Sequence, residues 1–188
     1  MRIGLLGGTF DPPHIAHLAV AEAAFRQLGL DAVWLVPAGS PWQKEGSVVT
    51  PAEHRWGMTV AAVDGIPYLS GDDREVVRPG PTYTLDTVRS MAGHEVTLIL
   101  GADAASRIAS WHRSAELQEM VGIAVAPRPG ADAGSVEAAV TARTTWLDVP
   151  PLDISGTDLR RRAAAGRSLR FLVPEGVWYY IETHGLYR

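Results

Sequence analysis

Hydrophobic and polar positions follow two patterns along the chain. Short apolar runs bounded by glycine, proline or aspartate predict buried strands, and apolar residues three and four positions apart predict amphipathic helices. The predicted strands are Arg2–Leu6, Ala32–Val36, Tyr68–Ser70, Val76–Val77, Val96–Leu100, Ile123–Ala126 and Thr145–Val149. The predicted helices are His14–Leu28, Pro51–Val63, Thr82–Met91, Ala104–Val121, Val136–Ala142, Ser155–Ala165 and Pro174–His184. Gly29 is the expected C-cap of the first helix, and Thr50 and Ser155 are expected N-caps.

The alternation of strands and helices predicts βαβ units. We therefore expect an α/β protein with a Rossmann-like, mostly parallel sheet and helices on both faces. A chain of 188 residues matches one compact domain, and we find no repeat, low-complexity tract or linker that would divide it. The sequence predicts a single domain over residues 1–188.

Composition narrows the class of protein. Hydrophobic residues at 46% and charged residues at 20% are typical of globular proteins. The absence of cysteine excludes a disulfide framework, a thiolate nucleophile and a cysteine zinc site. A formal net charge of −4 argues against nucleic acid as a partner. No charged-then-apolar leader and no apolar run of about 18 residues is found, so we expect a cytoplasmic protein without a membrane partner.

The first strand–helix junction carries the sharpest chemical pattern. Gly7 and Gly8 let the backbone approach a ligand closely, and Asp-Pro-Pro then leads into a helix whose N-terminus favours phosphate. His14 and His17 are three residues apart and can both donate hydrogen bonds to phosphate oxygens. There are three alternatives: an ordinary turn, a zinc-binding histidine pair, or hydrogen-bonded core histidines. The pair lacks a further ligand with the usual zinc spacing.

The segment from Gly7 to His17 resembles the GxFxPxHxxH signature of the HxGH nucleotidyltransferases, and the later motifs are similar to bacterial nicotinate-nucleotide adenylyltransferases. Ala16 departs from this pattern, which has glycine between the histidines. The resemblance implies that His14 and His17 act on the reacting phosphates. It also assigns four residues to ATP: Gly7, Gly8, Thr9 and Phe10.

A second motif lies near the other end of the chain, where Ser155 is placed to cap a helix. The segment from Ile154 to Arg160 resembles the family's ISxTxxR motif, whose hydroxyls, N–H groups and arginine hold the β- and γ-phosphates. By this match Ile154, Ser155 and Thr157 bind ATP, and Arg160 is a catalytic cation. An ordinary capped helix with a solvated basic face is the alternative.

Lys44 is the only lysine among 17 basic residues, and it lies in a Pro/Gly-rich loop. The family usually carries a Pro-His-Lys-like sequence there, so the residues before this lysine depart from the pattern. The resemblance assigns Lys44 to phosphate as a second catalytic cation. A solvated loop lysine is the alternative.

Further motifs lie between these segments. Residues 81–87 resemble the family's SYTxxT segment, and a helix start there offers N–H groups to a carboxylate. Thr82, Tyr83 and Thr84 are therefore assigned to the mononucleotide, with a plain capped helix as the alternative.

Two other segments match by resemblance, and one further arginine is a candidate from its place after a strand. Gly101 and Asp103 follow a strand and match the family's GxD acid on the adenosine ribose, although Asp103 could equally cap a helix. Trp111 matches the aromatic residue that stacks on the pyridine ring, with a core tryptophan as the alternative. Arg128 is a further candidate for the mononucleotide.

The resemblance implies transfer of AMP from ATP to nicotinate mononucleotide, in NAD biosynthesis, with Mg²⁺ arriving on ATP. Phosphopantetheine adenylyltransferase is the rival within the superfamily. A non-catalytic nucleotide sensor and a zinc hydrolase are rivals from other classes. The sequence is compatible with a homo-oligomer and leaves the oligomeric state open.

Overall fold

The structure is a computed structural model that describes residues 1–40, 49–128, 130 and 132–188. Its strands are β1 (Arg2–Gly8), β2 (Ala32–Pro37), β3 (Leu69–Gly71), β4 (Glu95–Gly101), β5 (Gly122–Ala126) and β6 (Thr144–Trp146). Its helices are α1 (Ile15–Leu28), α2 (Ala52–Val63), α3 (Thr84–Arg89), α4 (Ala102–Ala105), α5 (Ser114–Met120), α6 (Ala133–Ala139), α7 (Gly156–Ala164) and α8 (Glu175–His184), with a 3₁₀ helix at Ile108–Ser110.

The six strands form one parallel sheet in the order β3-β2-β1-β4-β5-β6. Leu5 of β1 lies beside Trp34 of β2 on one side and Leu98 of β4 on the other. The strand order therefore reverses at β1 and β4. The expected Rossmann-like α/β architecture is confirmed.

Helices cover both faces of the sheet because successive strand residues point to opposite sides. Leu98 and Leu100 belong to a cluster with buried residues of α3, α5 and α6. Ile99, between them, packs in a second cluster with Ala21 and Ala24 of α1. Both faces of the central strands are apolar, which is typical of a buried parallel sheet.

A third apolar cluster joins α2, α7 and α8. Met58, Leu159 and Val177 are buried in it. This packing fixes α7, and with it Ser155, beside the rest of the molecule. No helix in the described part of the chain is long and apolar enough to cross a membrane.

One predicted element is wrong, and a second is helical but divided. Residues 76–77 lie in a turn and a bend instead of a strand. The predicted helix Ala104–Val121 is broken into α4, the 3₁₀ helix and α5. Ser106 and Ser110 donate to carbonyls three residues earlier, and such local hydrogen bonds compete with a continuous helix.

Element ends also differ from the prediction. The helix α6 begins at Ala133 because Asp132 accepts hydrogen bonds from the N–H groups of Gly134 and Ser135. Pro51, not Thr50, is the N-cap of α2. The C-cap at Gly29, in the left-handed conformation, and the N-cap at Ser155 are confirmed. The strand β6 ends at Trp146, three residues before the predicted Val149.

Candidate active site

A cavity of about 530 Å³ lies at the carboxyl ends of β1 and β4. These strands are neighbours at the point where the strand order reverses, which is where open α/β sheets bind ligands. The cavity is lined by most of the predicted site residues: Gly7, Gly8, Thr9, His14, His17, Thr82, Tyr83, Thr84, Gly101, Asp103, Trp111, Arg128, Ile154 and Ser155. The structure thus brings both ends of the motif set into one space.

The turn from β1 to α1 forms one wall. His14 is the N-cap of α1 in an extended conformation, and its backbone N–H donates to Nδ1 of His17 at 3.1 Å. The two rings stack with centroids 3.7 Å apart. Phe10 is buried, and its ring packs edge-on against His17 at 5.0 Å. Phe10 therefore packs against the His17 ring, and Phe10 does not line the cavity.

Burial determines the protonation of this pair. It lowers the pKa of His14 to about 4. Burial, followed by the charge of His14, holds the pKa of His17 well below its usual value. Both rings are neutral near pH 7, and Nδ1 of His17 is an acceptor, so its proton lies on Nε2. His17 thus offers a neutral N–H donor.

The start of α7 forms a second wall of the cavity. Ser155 Oγ accepts from the N–H of Asp158 at 3.2 Å and donates to Asp158 Oδ2 at 2.7 Å. Thr157 and Arg160 are not among the residues that line the cavity. Arg160 Nη1 donates to the carbonyl of Asp11 at 2.7 Å and lies 3.8 Å from Asp11 Oδ2. Arg160 therefore points toward the loop that leads into α1.

A buried arginine of α2 connects the loops behind the site. The guanidinium of Arg55, 1% exposed, donates to carbonyls of four residues: Thr9 at 3.0 Å, Ala38 at 2.5 Å, Gly39 at 2.8 Å and Thr50 at 2.8 Å. Burial lowers the pKa of Arg55 and the charge of Asp11 opposes this change. Arg55 was not among the residues predicted from the sequence, although it lies on the same helix face as the apolar Met58 and Ala62.

The opposite wall is aromatic and rich in hydroxyl groups. Tyr83 stacks on His112 with centroids 4.3 Å apart. Trp111 packs against the apolar cluster around α3 and α5, and its Nε1 is buried without a partner in the described residues. The helix α3 begins at Thr84 rather than Thr82 and has six residues. Its dipole is accordingly weaker than the sequence predicted.

Glu75 is a cavity residue that sequence analysis missed. Its carboxylate is buried and accepts from Thr87 Oγ1 at 2.6 Å. Burial raises its pKa, and the hydrogen bonds of Thr87 and Thr82 oppose the shift. A Cβ on Gly39 would lie 2.0 Å from the carbonyl of Glu75, so only glycine permits this approach. The charged run Asp72–Glu75 gave no reason to expect a buried member.

Asp103 and Arg128 form an ion pair at the edge of the cavity, with 2.5 Å between Oδ2 and Nη1. Both side chains are about half exposed. Asp103 lies in the first turn of α4, whose N-cap is Gly101, so the capping alternative for Asp103 is wrong. Lys44 lies outside the described residues. Within those residues, no group of three or more His, Asp or Glu side chains is placed to hold a metal ion.

A reversing parallel sheet with a histidine pair over the first strand–helix turn defines a nucleotidyltransferase-like class. The family model described as cytidylyltransferase-like matches residues 5–162. A solved structure, the Plasmodium falciparum nicotinic acid mononucleotide adenylyltransferase complexed with NaAD, has the same fold, with a TM-score of 0.81 at 20% identity over 99% of this chain and 97% of that chain.

Sequence similarity is closer still. The chain is 42% identical to a probable nicotinate-nucleotide adenylyltransferase of Salinibacter ruber, covering 100% of this chain and 98% of that protein. It is 44% identical to a protein of the same name from Exiguobacterium sibiricum, covering 100% and 99%. The chain belongs to the nicotinate-nucleotide adenylyltransferase family.

Proposed function

We propose that the chain transfers the AMP part of ATP to nicotinate mononucleotide and releases pyrophosphate. The products are nicotinate adenine dinucleotide and pyrophosphate, an exchange that belongs to NAD biosynthesis. The observation that carries the proposal is that one cavity joins a glycine- and histidine-bearing turn to a wall of Tyr83, Trp111 and His112. The first suits phosphates and the second suits a flat heteroaromatic ring.

The chemistry needs no covalent intermediate on the protein. The 5′-phosphate of the mononucleotide is largely ionised near neutral pH, because its second pKa is about 6. One of its oxygens attacks the α-phosphorus of ATP, and the bond from that phosphorus to the β-phosphate oxygen breaks. Catalysis then depends on alignment of the two substrates and on stabilisation of the charge that leaves with pyrophosphate.

The side chains divide this work. His17 Nε2–H and His14 donate to the reacting phosphates, and bound phosphate favours their protonation. Ile154, Ser155 and Thr157 hold the outer phosphates at the start of α7, and Arg160 supplies a positive charge there. Lys44 is proposed as the second cation. Gly101 and Asp103 are proposed to hold the adenosine ribose, with the backbone of residues 7–10 beside it.

We further propose Mg²⁺ as a companion of ATP. The turn after β1 and the start of α7 contribute His14, His17 and Ser155 to the cavity, and no group of three or more histidine or carboxylate side chains in the described residues is placed to hold a metal ion. This lining fits a cation that arrives on the triphosphate. When bound, the ion supplies charge neutralisation on the phosphates.

We also infer that residues 1–188 act as one nucleotidyltransferase domain. The cavity lining extends from Leu5 to Gly156, and α8 packs on α2 through the third apolar cluster.

The test is pyrophosphate release with ATP and each candidate acceptor: nicotinate mononucleotide, nicotinamide mononucleotide and phosphopantetheine. We expect kcat/KM to be at least about tenfold higher for the nicotinate form, which corresponds to 1.4 kcal/mol. A carboxylate accepts charge-assisted bonds from the N–H and hydroxyl groups of Thr82, Tyr83 and Thr84, whereas the amide makes weaker ones. Pyrophosphate release with phosphopantetheine only, or with none of the three acceptors, would refute the proposal.

A substitution of Trp111 tests whether this side chain binds the pyridine ring of nicotinate mononucleotide. Trp111→Ala should raise KM for nicotinate mononucleotide about tenfold and leave KM for ATP unchanged, because stacking on an aromatic side chain contributes about 1–3 kcal/mol. The matched control is Trp146→Ala on β6, a tryptophan that does not line the cavity. Equal effects of the two substitutions would remove Trp111 from the acceptor site.

A further inference from the structure

The carboxylate of Asp11 lies where four distant segments of the chain meet. It is 4% exposed and immediately precedes the turn that carries His14. Tyr187 donates its hydroxyl to Oδ1 at 2.6 Å, and the N–H of Thr50 donates to Oδ2 at 3.2 Å. Arg160 approaches Oδ2 only to 3.8 Å and gives its short hydrogen bond, 2.7 Å, to the Asp11 carbonyl instead.

Neutral donors thus hold this carboxylate more closely than the nearby cation does. An arginine and a buried carboxylate would otherwise favour a bidentate pair with two short bonds. In that pair the charge of Arg160 would be neutralised by the protein. In the observed arrangement the Asp11 carboxylate neutralises the charge of Arg160 only weakly, and this charge lies beside the predicted phosphate subsite at Ser155.

Tyr187 is held firmly in this position. Its backbone adopts φ +66, a left-handed conformation that is uncommon for a residue other than glycine. Its side chain packs against the apolar cluster of α2, α7 and α8, and the hydroxyl also lies 3.6 Å from Met58 Sδ. Burial, followed by the hydrogen bond to Asp11, raises the pKa of Tyr187, so the hydroxyl stays a donor throughout the physiological range.

We propose that Tyr187 is a positioning residue for Arg160: its hydroxyl occupies Asp11 Oδ1, prevents a closed Arg160–Asp11 ion pair and keeps the guanidinium available for the phosphates of ATP. The inference rests on the proposed function, since it requires Arg160 to meet ATP. Removal of the hydroxyl leaves Oδ1 buried without its donor, and among the described residues the cation within 4 Å of this carboxylate is Arg160.

The first test is Tyr187→Phe, which removes one oxygen. We expect KM for MgATP to rise about tenfold, with KM for nicotinate mononucleotide unchanged; coupling within one hydrogen-bond network reaches this size. The control is Tyr179→Phe on α8, 67% exposed, which should change neither constant. A purely structural role would lower the melting temperature and alter both KM values alike, and that result would overturn the proposal.

A double-mutant cycle decides whether the effect passes through Arg160. In an Arg160→Ala background, Tyr187→Phe should no longer change KM for MgATP. Additive effects would show that Tyr187 acts by another route and would refute the inference, while leaving AMP transfer intact. A wild-type protein that releases no pyrophosphate would instead refute the proposed function itself.

Asp11→Asn supplies a second variant in case Tyr187→Phe loses its cooperative melting transition. The neutral amide cannot draw Arg160 into an ion pair, so KM for MgATP should not exceed that of the wild type even if stability falls. A tenfold rise in KM for MgATP in Asp11→Asn would contradict the mechanism.

Discussion

Two imidazole rings stacked 3.7 Å apart occupy the first turn of α1, and burial keeps both of them uncharged near pH 7. Their hydrogen-bond arrangement leaves Nε2–H of His17 as a donor. The motif identified the two residues from the sequence. Their protonation followed only from packing, because it depends on the Phe10 ring and on the depth of the turn.

Loss of His17 should therefore act on the chemical step. We expect His17→Ala to lower kcat about 10²-fold, the scale measured for removal of a preorganised donor. Nδ1 of His17 also caps α1, so stability should fall by about 1 kcal/mol. Steady-state kinetics and thermal melting measure both, with exposed His184→Ala as the control. A folded variant with near-normal turnover would exclude the catalytic role.

The same burial predicts how stability depends on pH. Burial lowers the pKa of His14 to about 4 in the folded chain, against an ordinary histidine pKa of about 6.5 in the unfolded chain, so the unfolded chain binds the proton preferentially between these values. Titration of His14 leaves the free energy of unfolding unchanged above about pH 6.5. As pH falls toward 4 it lowers that free energy by at most about 3 kcal/mol.

Urea denaturation across this range tests the point. His14→Asn should flatten the decline in the free energy of unfolding relative to the wild type, whatever its effect at neutral pH. The control is His184→Asn, at an exposed position, which should leave the slope unchanged. Parallel curves for the wild type and His14→Asn would contradict the assignment.

At the scale of the element, α2 stabilises the neighbouring loops through the guanidinium of Arg55. Arg55 donates hydrogen bonds to carbonyls in the loops that follow β1 and β2 and to the carbonyl of Thr50, two residues before α2 begins. Arg55→Lys keeps the charge but cannot satisfy four carbonyls at once. We expect the free energy of unfolding to fall by about 3 kcal/mol, within the range for a broken buried charge network.

The matched comparison is Arg89→Lys, an exposed arginine of α3 paired with Glu116. It should change the free energy of unfolding by less than about 1 kcal/mol. Similar losses of unfolding free energy in the two variants would show that the hydrogen bonds of Arg55 do not stabilise these loops.

Elements differ in how far their sequence determines them. Strands β1 and β4 were predicted closely because their apolar runs end at glycine. The segment 104–121 was predicted to be helical, and its helical residues fall into separate pieces because serine side chains and the left-handed Arg113 divide it. Residues 76–77 have strand-like side chains, but the turn that buries Glu75 excludes them from the sheet.

At the scale of the whole molecule, the parallel sheet and a ligand site at the carboxyl ends of its strands were predictable from βαβ alternation, whereas the strand order was not. The motif residues on both walls were predictable from resemblance. What the sequence could not supply were contacts between distant segments: the carboxylate of Asp11 accepts a hydrogen bond from Tyr187, 176 residues later, and its backbone carbonyl accepts one from Arg160, 149 residues later. No local pattern specifies such pairs, since they arise only when α7 and α8 pack on α2.

The two walls of the cavity come from separate stretches of chain. Residues 7–17 and 154–156 line the wall proposed for the reacting phosphates, and residues 75–85 and 111–112 line the wall proposed for the acceptor. Substitutions in the second set can therefore alter which acceptor is chosen without disturbing the donor side. A fold arranged in this way can acquire new second substrates during evolution while it keeps ATP as its first.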